Sequence, residues 1–138
     1  MKRTGMIRRK RGLSDASWAV NAFPGTVRAQ AMHRAGWGCE RCHQAPLDHL
    51  HHRRPRGMGG GDVDNTISNC AVLCRRCHEW VHAHPAEAYE TGWLIRRGDD
   101  DPDEIPVMDT SGVRWWLTPD GARLTSAQLL GGSDVVCF

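Results

Sequence analysis

A chain of 138 residues with 25% charged and 40% hydrophobic side chains has room for one domain with a small core. No apolar run approaches the ~20 residues of a membrane span, and the basic start Met1-Lys2-Arg3-Thr4-Gly5 lacks the apolar stretch of a secretory signal, so a cytoplasmic protein is expected. The net charge of +2 hides an asymmetry: residues 1–97 carry 16 basic and 8 acidic side chains, and residues 98–138 carry 2 and 8. The first portion therefore suits a polyanion partner.

Taken in order, residues 1–13 read as a disordered basic arm with Lys2, Arg3, Arg8, Arg9, Lys10 and Arg11. Ser14 and Asp15 could cap a turn through Trp18 and Val20. Pro24 and Gly36 bracket a predicted helix over 25–35, with Val27, Ala31 and Met32 inward and Arg28 and Arg34 toward solvent. Residues 47–52 read as a strand and 53–66 as a loop. A return strand is expected at Val72-Leu73, then a helix from Arg75 to His84 stopped by Pro85, with a further helical turn over 86–89. The apolar patches 93–95, 105–107 and 113–117 read as edge strands, and the acidic turn 99–103 separates the first two. The expected division is an arm at 1–13, a domain at 14–90 and a β-rich tail at 91–138.

Four of the six cysteines form two C-x-x-C pairs, Cys39/Cys42 and Cys74/Cys77, with 31 residues between the pairs. Two such pairs supply four thiolates for one closed, tetrahedral, structural zinc site. A redox dithiol needs only one pair. Cys70 reads as a small buried residue, and Cys137 has no evident role.

The histidines form a second set. His51 and His52 are adjacent, and His78 and His82 share one helical face four residues apart. Neutral imidazoles are good ligands for first-row transition ions, and three of them leave coordination open, as a catalytic site requires. A further histidine beside a ligand can act as a general base on water. A regular strand sends His51 and His52 to opposite faces. Either the strand distorts, or ligand and base approach one centre from different sides.

The run His51-His52-x-x-Pro55-Arg56-x-x-Gly59-Gly60, then Asn69, then Leu73-Cys74-x-x-Cys77-His78, resembles the HNH endonuclease family in its four-cysteine form. Residues 39–84 carry the resemblance. The tail, with Gly92-Trp93-Leu94-Ile95 and Ile105-Pro106-Val107, is similar to small HNH proteins of actinobacteria and their phages. His43 and Cys70 depart from the family pattern, standing where Gly and Leu are usual.

The resemblance implies an α+β fold: a small zinc-stapled ββα-metal domain with an N-terminal helix and a short β-rich tail. It implies His51, His78 and His82 as ligands of a catalytic Mg, Mn, Co, Ni or Zn ion, His52 as general base, and Asn69 as the residue that holds the loop and orients the base. It implies a DNA phosphodiester as substrate. Arg53, Arg54 and Arg56 beside the site, and Arg75 and Arg76 on the helix, are the expected phosphate contacts, with weak sequence preference. The glycines at 57 and 59–61 would let the backbone pass close to DNA. A second reading is a zinc-stabilised DNA-binding module without catalysis, which has no need of His52, Asn69 and His82 together. A third, compatible with the first, places the chain beside a phage terminase in DNA packaging.

Overall fold

The structure is a computed structural model, and it describes residues 23–36, 38–44, 49–55 and 65–131. The basic arm, the turn at 14–20, Arg56, the glycines at 57 and 59–61, and Cys137 lie outside the described residues.

The first helix, α1 (Gly25–Ala35), begins after Pro24 and ends at Gly36 in the left-handed region with φ 63°. These are the bounds the Pro and Gly predict. Ala31 is buried, with Val27 and Met32 packed beside it, and Arg28 is exposed. Arg34 does not face solvent as expected. It is 8% exposed and forms a fork with Glu40, Nε to Oε1 at 2.7 Å and Nη2 to Oε2 at 2.8 Å. Nη1 and Nη2 also donate to the carbonyls of Ile67 and Cys70. Burial works against the charge of Arg34, but the Glu40 carboxylate outweighs it and raises the guanidinium pKa. Glu40 in turn accepts from the Val72 N–H at 2.9 Å, so this ion pair pins the first cysteine pair to the second strand.

Strand β1 (His49–His52) pairs antiparallel with β2 (Cys70–Leu73), aligning His51 with Ala71 and His52 with Cys70. A 3₁₀ turn (Ile67–Asn69) leads into β2. All four residues of β2 are buried, for a simple reason. Alternation sends Ala71 and Leu73 into one apolar cluster and Cys70 and Val72 into another. Both clusters together bury β2 on its two sides.

Helix α2 (Arg75–Ala83) follows β2 directly, completing a ββα order. Its cap is Cys74, whose Sγ accepts from the Cys77 N–H at 3.5 Å. Pro85 does more than stop this helix, since it occupies the first turn of a new one, α3 (Pro85–Glu90).

The tail holds a three-stranded antiparallel meander, β3 (Val107–Met108), β4 (Arg114–Leu117) and β5 (Arg123–Leu124), and then a short helix, α4 (Ser126–Leu129). Residues 93–95 are not the edge strand expected from their composition. They run as buried irregular chain, with Trp93 fully buried and Leu94 and Ile95 nearly so. Trp93, Leu94, Val107 and Leu117 pack in the same cluster as Cys39, Leu73 and Val81, so the tail helps to close the core under the cysteines. The fold is α+β, and among the described residues no helix is long and apolar enough to cross a membrane.

Candidate active site

The four cysteine sulfurs lie within 4.8 Å of one another. Cys42 Sγ and Cys74 Sγ are 3.8 Å apart. Tetrahedral bonds of ~2.3 Å place thiolates about 3.8 Å apart, so the cluster has the size and donor chemistry of a structural zinc site. The backbone N–H groups of Cys42 and Cys77 donate to Cys39 and Cys74 Sγ, each at 3.5 Å. Arg41 donates to Cys77 Sγ at 3.4 Å and lies over the Trp80 ring at 3.7 Å. Burial pushes the Cys39 and Cys77 thiols up. Burial works the same way on Cys74, but the Cys77 N–H and the neighbouring thiols outweigh it and its pKa falls. A thiolate at a helix N-terminus also benefits from the helix dipole.

A second cluster is built by β1 and α2. The ligand atoms of His51, His78 and His82 lie within 4.8 Å of one another. The Nε2 atoms of His78 and His82 are 3.1 Å apart, and neighbouring ligands on one ion with bonds of ~2.0–2.1 Å sit about 3.0–3.4 Å apart. His51 is buried, and its Nε2–H donates to the Trp93 carbonyl at 2.8 Å. Burial, then the nearby imidazoles, hold the His51 pKa down at about 4 against the Trp93 carbonyl, which favours the proton. Burial also lowers His78, helped by His82 and His49. The neutral imidazole is the form that binds a metal.

His52 lies on the opposite face of β1. Its ring stacks on Phe23 at 3.9 Å, and its Nε2 is 3.0 Å from Asn65 Oδ1. With the amide oxygen as acceptor, Nε2 carries the hydrogen and the lone pair sits on Nδ1. β1 keeps regular pairing through His52, so the strand is undistorted and the His51 and His52 side chains leave its opposite faces. A cavity of about 250 Å³ spans the end of the strand and is lined by Leu50, His51, His52, Pro55, His78 and His82. Because β1 is the edge of a two-stranded ribbon, side chains from both of its faces can reach this cavity.

Asn69 is fully buried, and its Oδ1 accepts from the Arg54 N–H at 2.7 Å. Its backbone carbonyl accepts from the Arg53 N–H at 2.9 Å, so one residue ties the chain leaving His52 to the start of β2.

The arginines divide. Arg75 and Arg76 are exposed on the first turn of α2, and Arg75 forms a surface ion pair with Glu79 at 3.1 Å. Arg54 is half-buried, and its Nη2 donates to the carbonyls of Asp99 and Asp100. Arg53 does not meet phosphates as expected. It is 0% exposed, and its guanidinium donates to the carbonyls of Gly92, Ser68, Pro102 and Ile105. It is an internal strut that carries the tail on the strand end.

Several participants were not anticipated. The His49 ring lies 4.8 Å from that of His78, and its place two residues before His51 is the signal that could have found it. Asn65 and Phe23 hold the His52 ring from separate parts of the chain. The Trp93 carbonyl leaves no mark in a sequence, because every residue has one.

A thiolate frame and a three-histidine cluster thus sit together on one ββα unit. Residues 39–84 match the family model described as HNH endonuclease. No curated protein and no solved structure matches the chain.

Proposed function

We propose that this protein is a divalent-metal-dependent endonuclease that hydrolyses DNA phosphodiester bonds with weak sequence preference. The observation that carries this reading is one cavity lined by the three clustered histidines and by His52. A binding module has no use for a histidine lined up beside an open three-ligand site.

A divalent ion held by His51, His78 and His82 would supply Lewis-acid stabilisation to the phosphoryl group and the leaving oxygen. His52 takes the proton of the attacking water, while Phe23 stacks on its ring and the Asn65 amide lies against Nε2. Asn69 keeps the turn after His52 closed. Arg75 and Arg76 contact flanking phosphates from the exposed start of α2. Buried Arg53 has no part in this. A place beside a phage terminase is a proposal within the same reading, and the exposed carboxylates of Asp99, Asp100, Asp101 and Glu104 offer a basic partner a surface.

The test is nicking of supercoiled plasmid by purified protein with Mg, Mn, Co, Ni or Zn in turn. Nicking with at least one ion, lost on chelation, is expected. Duplex binding without nicking under any of the five would make the zinc-stabilised binding module the correct reading.

A further inference from the structure

The HNH match ends at residue 84, yet the hydrogen bond that orients the buried histidine comes from beyond it. The Trp93 carbonyl accepts from His51 Nε2 at 2.8 Å. An imidazole has two nitrogens, and the one that holds a hydrogen for a carbonyl cannot also bind an ion. His51 is therefore left to coordinate through Nδ1. His78 and His82 differ, since their Nε2 atoms face each other at 3.1 Å.

The carbonyl is well anchored. The Trp93 indole N–H donates to the Met108 carbonyl at 2.8 Å. On one side, the Gly92 carbonyl accepts from Arg53 Nε at 2.9 Å. On the other, the Leu94 N–H donates to the Ala88 carbonyl at 3.0 Å and the Ile95 N–H donates to the Arg53 carbonyl at 2.8 Å. Gly92 is required for this approach: it has φ +80°, and a Cβ there would stand 1.9 Å from the Pro106 carbonyl oxygen. Arg53 is two residues from His51 on the same chain, so the segment that presents the carbonyl is tied to the strand that presents the imidazole.

We propose that residues 92–95 of the tail are a built part of the metal centre, with Trp93 as a positioning residue whose backbone carbonyl forces His51 to bind through Nδ1 while His78 and His82 bind through Nε2. This rests on the endonuclease reading of the histidine cluster. It adds that the matched segment alone does not hold its buried ligand in register.

The experiment is nitrogen NMR of the full chain labelled with ¹⁵N-histidine and carbonyl-¹³C tryptophan. It is run with zinc in the sulfur site, before and after a second equivalent of zinc. The expected result is a slowly exchanging His51 Nε2–H coupled across the hydrogen bond to the Trp93 carbonyl carbon. On the second equivalent, His51 shifts at Nδ1 and keeps that hydrogen, while His78 and His82 shift at Nε2. A His51 hydrogen on Nδ1, or loss of the Nε2–H and its coupling as zinc binds, would overturn the proposal and leave the three-histidine site intact. No shift at any of the three histidines would instead overturn the metal site on which the endonuclease reading stands.

Discussion

Replacing Arg53 with methionine keeps most of the side-chain length and removes every donor. The structure gives that guanidinium four carbonyl acceptors, on Gly92, Ser68, Pro102 and Ile105, in a side chain with 0% exposure. Removing one charge from the interior recovers some desolvation energy, but the carbonyls it served stay where they are. A buried acceptor left without its donor costs about 1–3 kcal/mol, and several carbonyls lose theirs at once, partly offset by the desolvation recovered. The expected loss for Arg53→Met is therefore about 3–5 kcal/mol, a large part of the ~5–15 kcal/mol of a whole domain. Arg53→Lys should lose less, since one ammonium can reach some of the same carbonyls. Urea unfolding of the zinc-loaded protein measures it. Unchanged stability in Arg53→Met, with weaker DNA binding and a salt slope reduced by about 0.9, would refute the strut and restore a phosphate contact.

Gly92→Ala should cost about 2–5 kcal/mol, because its left-handed φ and the 1.9 Å approach to the Pro106 oxygen leave a Cβ no room, and thermal unfolding would show it. Cys77→Ala should lose about one zinc per chain together with cooperative unfolding, since zinc binding energy is folding energy here; full zinc content and full stability by metal analysis and calorimetry would contradict the four-sulfur frame. Acid should weaken the fold through His51. Its folded pKa of about 4 lies below the ordinary ~6.5, so the unfolded chain takes up the proton first, and this stability is present above pH ~6.5 and lost as pH falls toward about 4. Between pH 7 and 5.5 His51 alone should remove about 1 kcal/mol, read as a drop in urea midpoint that is smaller by that amount in His51→Asn, where His78 still contributes its own part.

The parts of this protein set by local spacing were legible in its sequence. Two C-x-x-C pairs can close on one ion only by bringing residues 39–42 and 74–77 together, and His78 and His82 share a face because a helix repeats every 3.6 residues. Pro24 and Gly36 marked the ends of α1 for equally local reasons. The arginines were not legible, because a long cation reads the same whether it faces water or a set of carbonyls. Arg34 and Arg53 turned inward for acceptors on chain far from them in sequence, at Ile67 and Cys70 for one and at residues 92–105 for the other. The apolar run at 93–95 carried the composition of a strand, but its backbone bonds go to α3 and to the end of β1, so it runs buried without a ladder.

The most direct test of the account is the rate of plasmid nicking by His52→Ala beside wild type, with metal content and duplex affinity measured on the same samples. His52 lines the cavity but stands outside the three-histidine cluster, so its removal should leave both metal sites and DNA binding nearly unchanged. Loss of a general base typically slows a reaction ~10²- to 10⁴-fold, and nicking at least ~100-fold slower than wild type is the expected result. Equal nicking by wild type and His52→Ala, at equal metal content, would contradict the account.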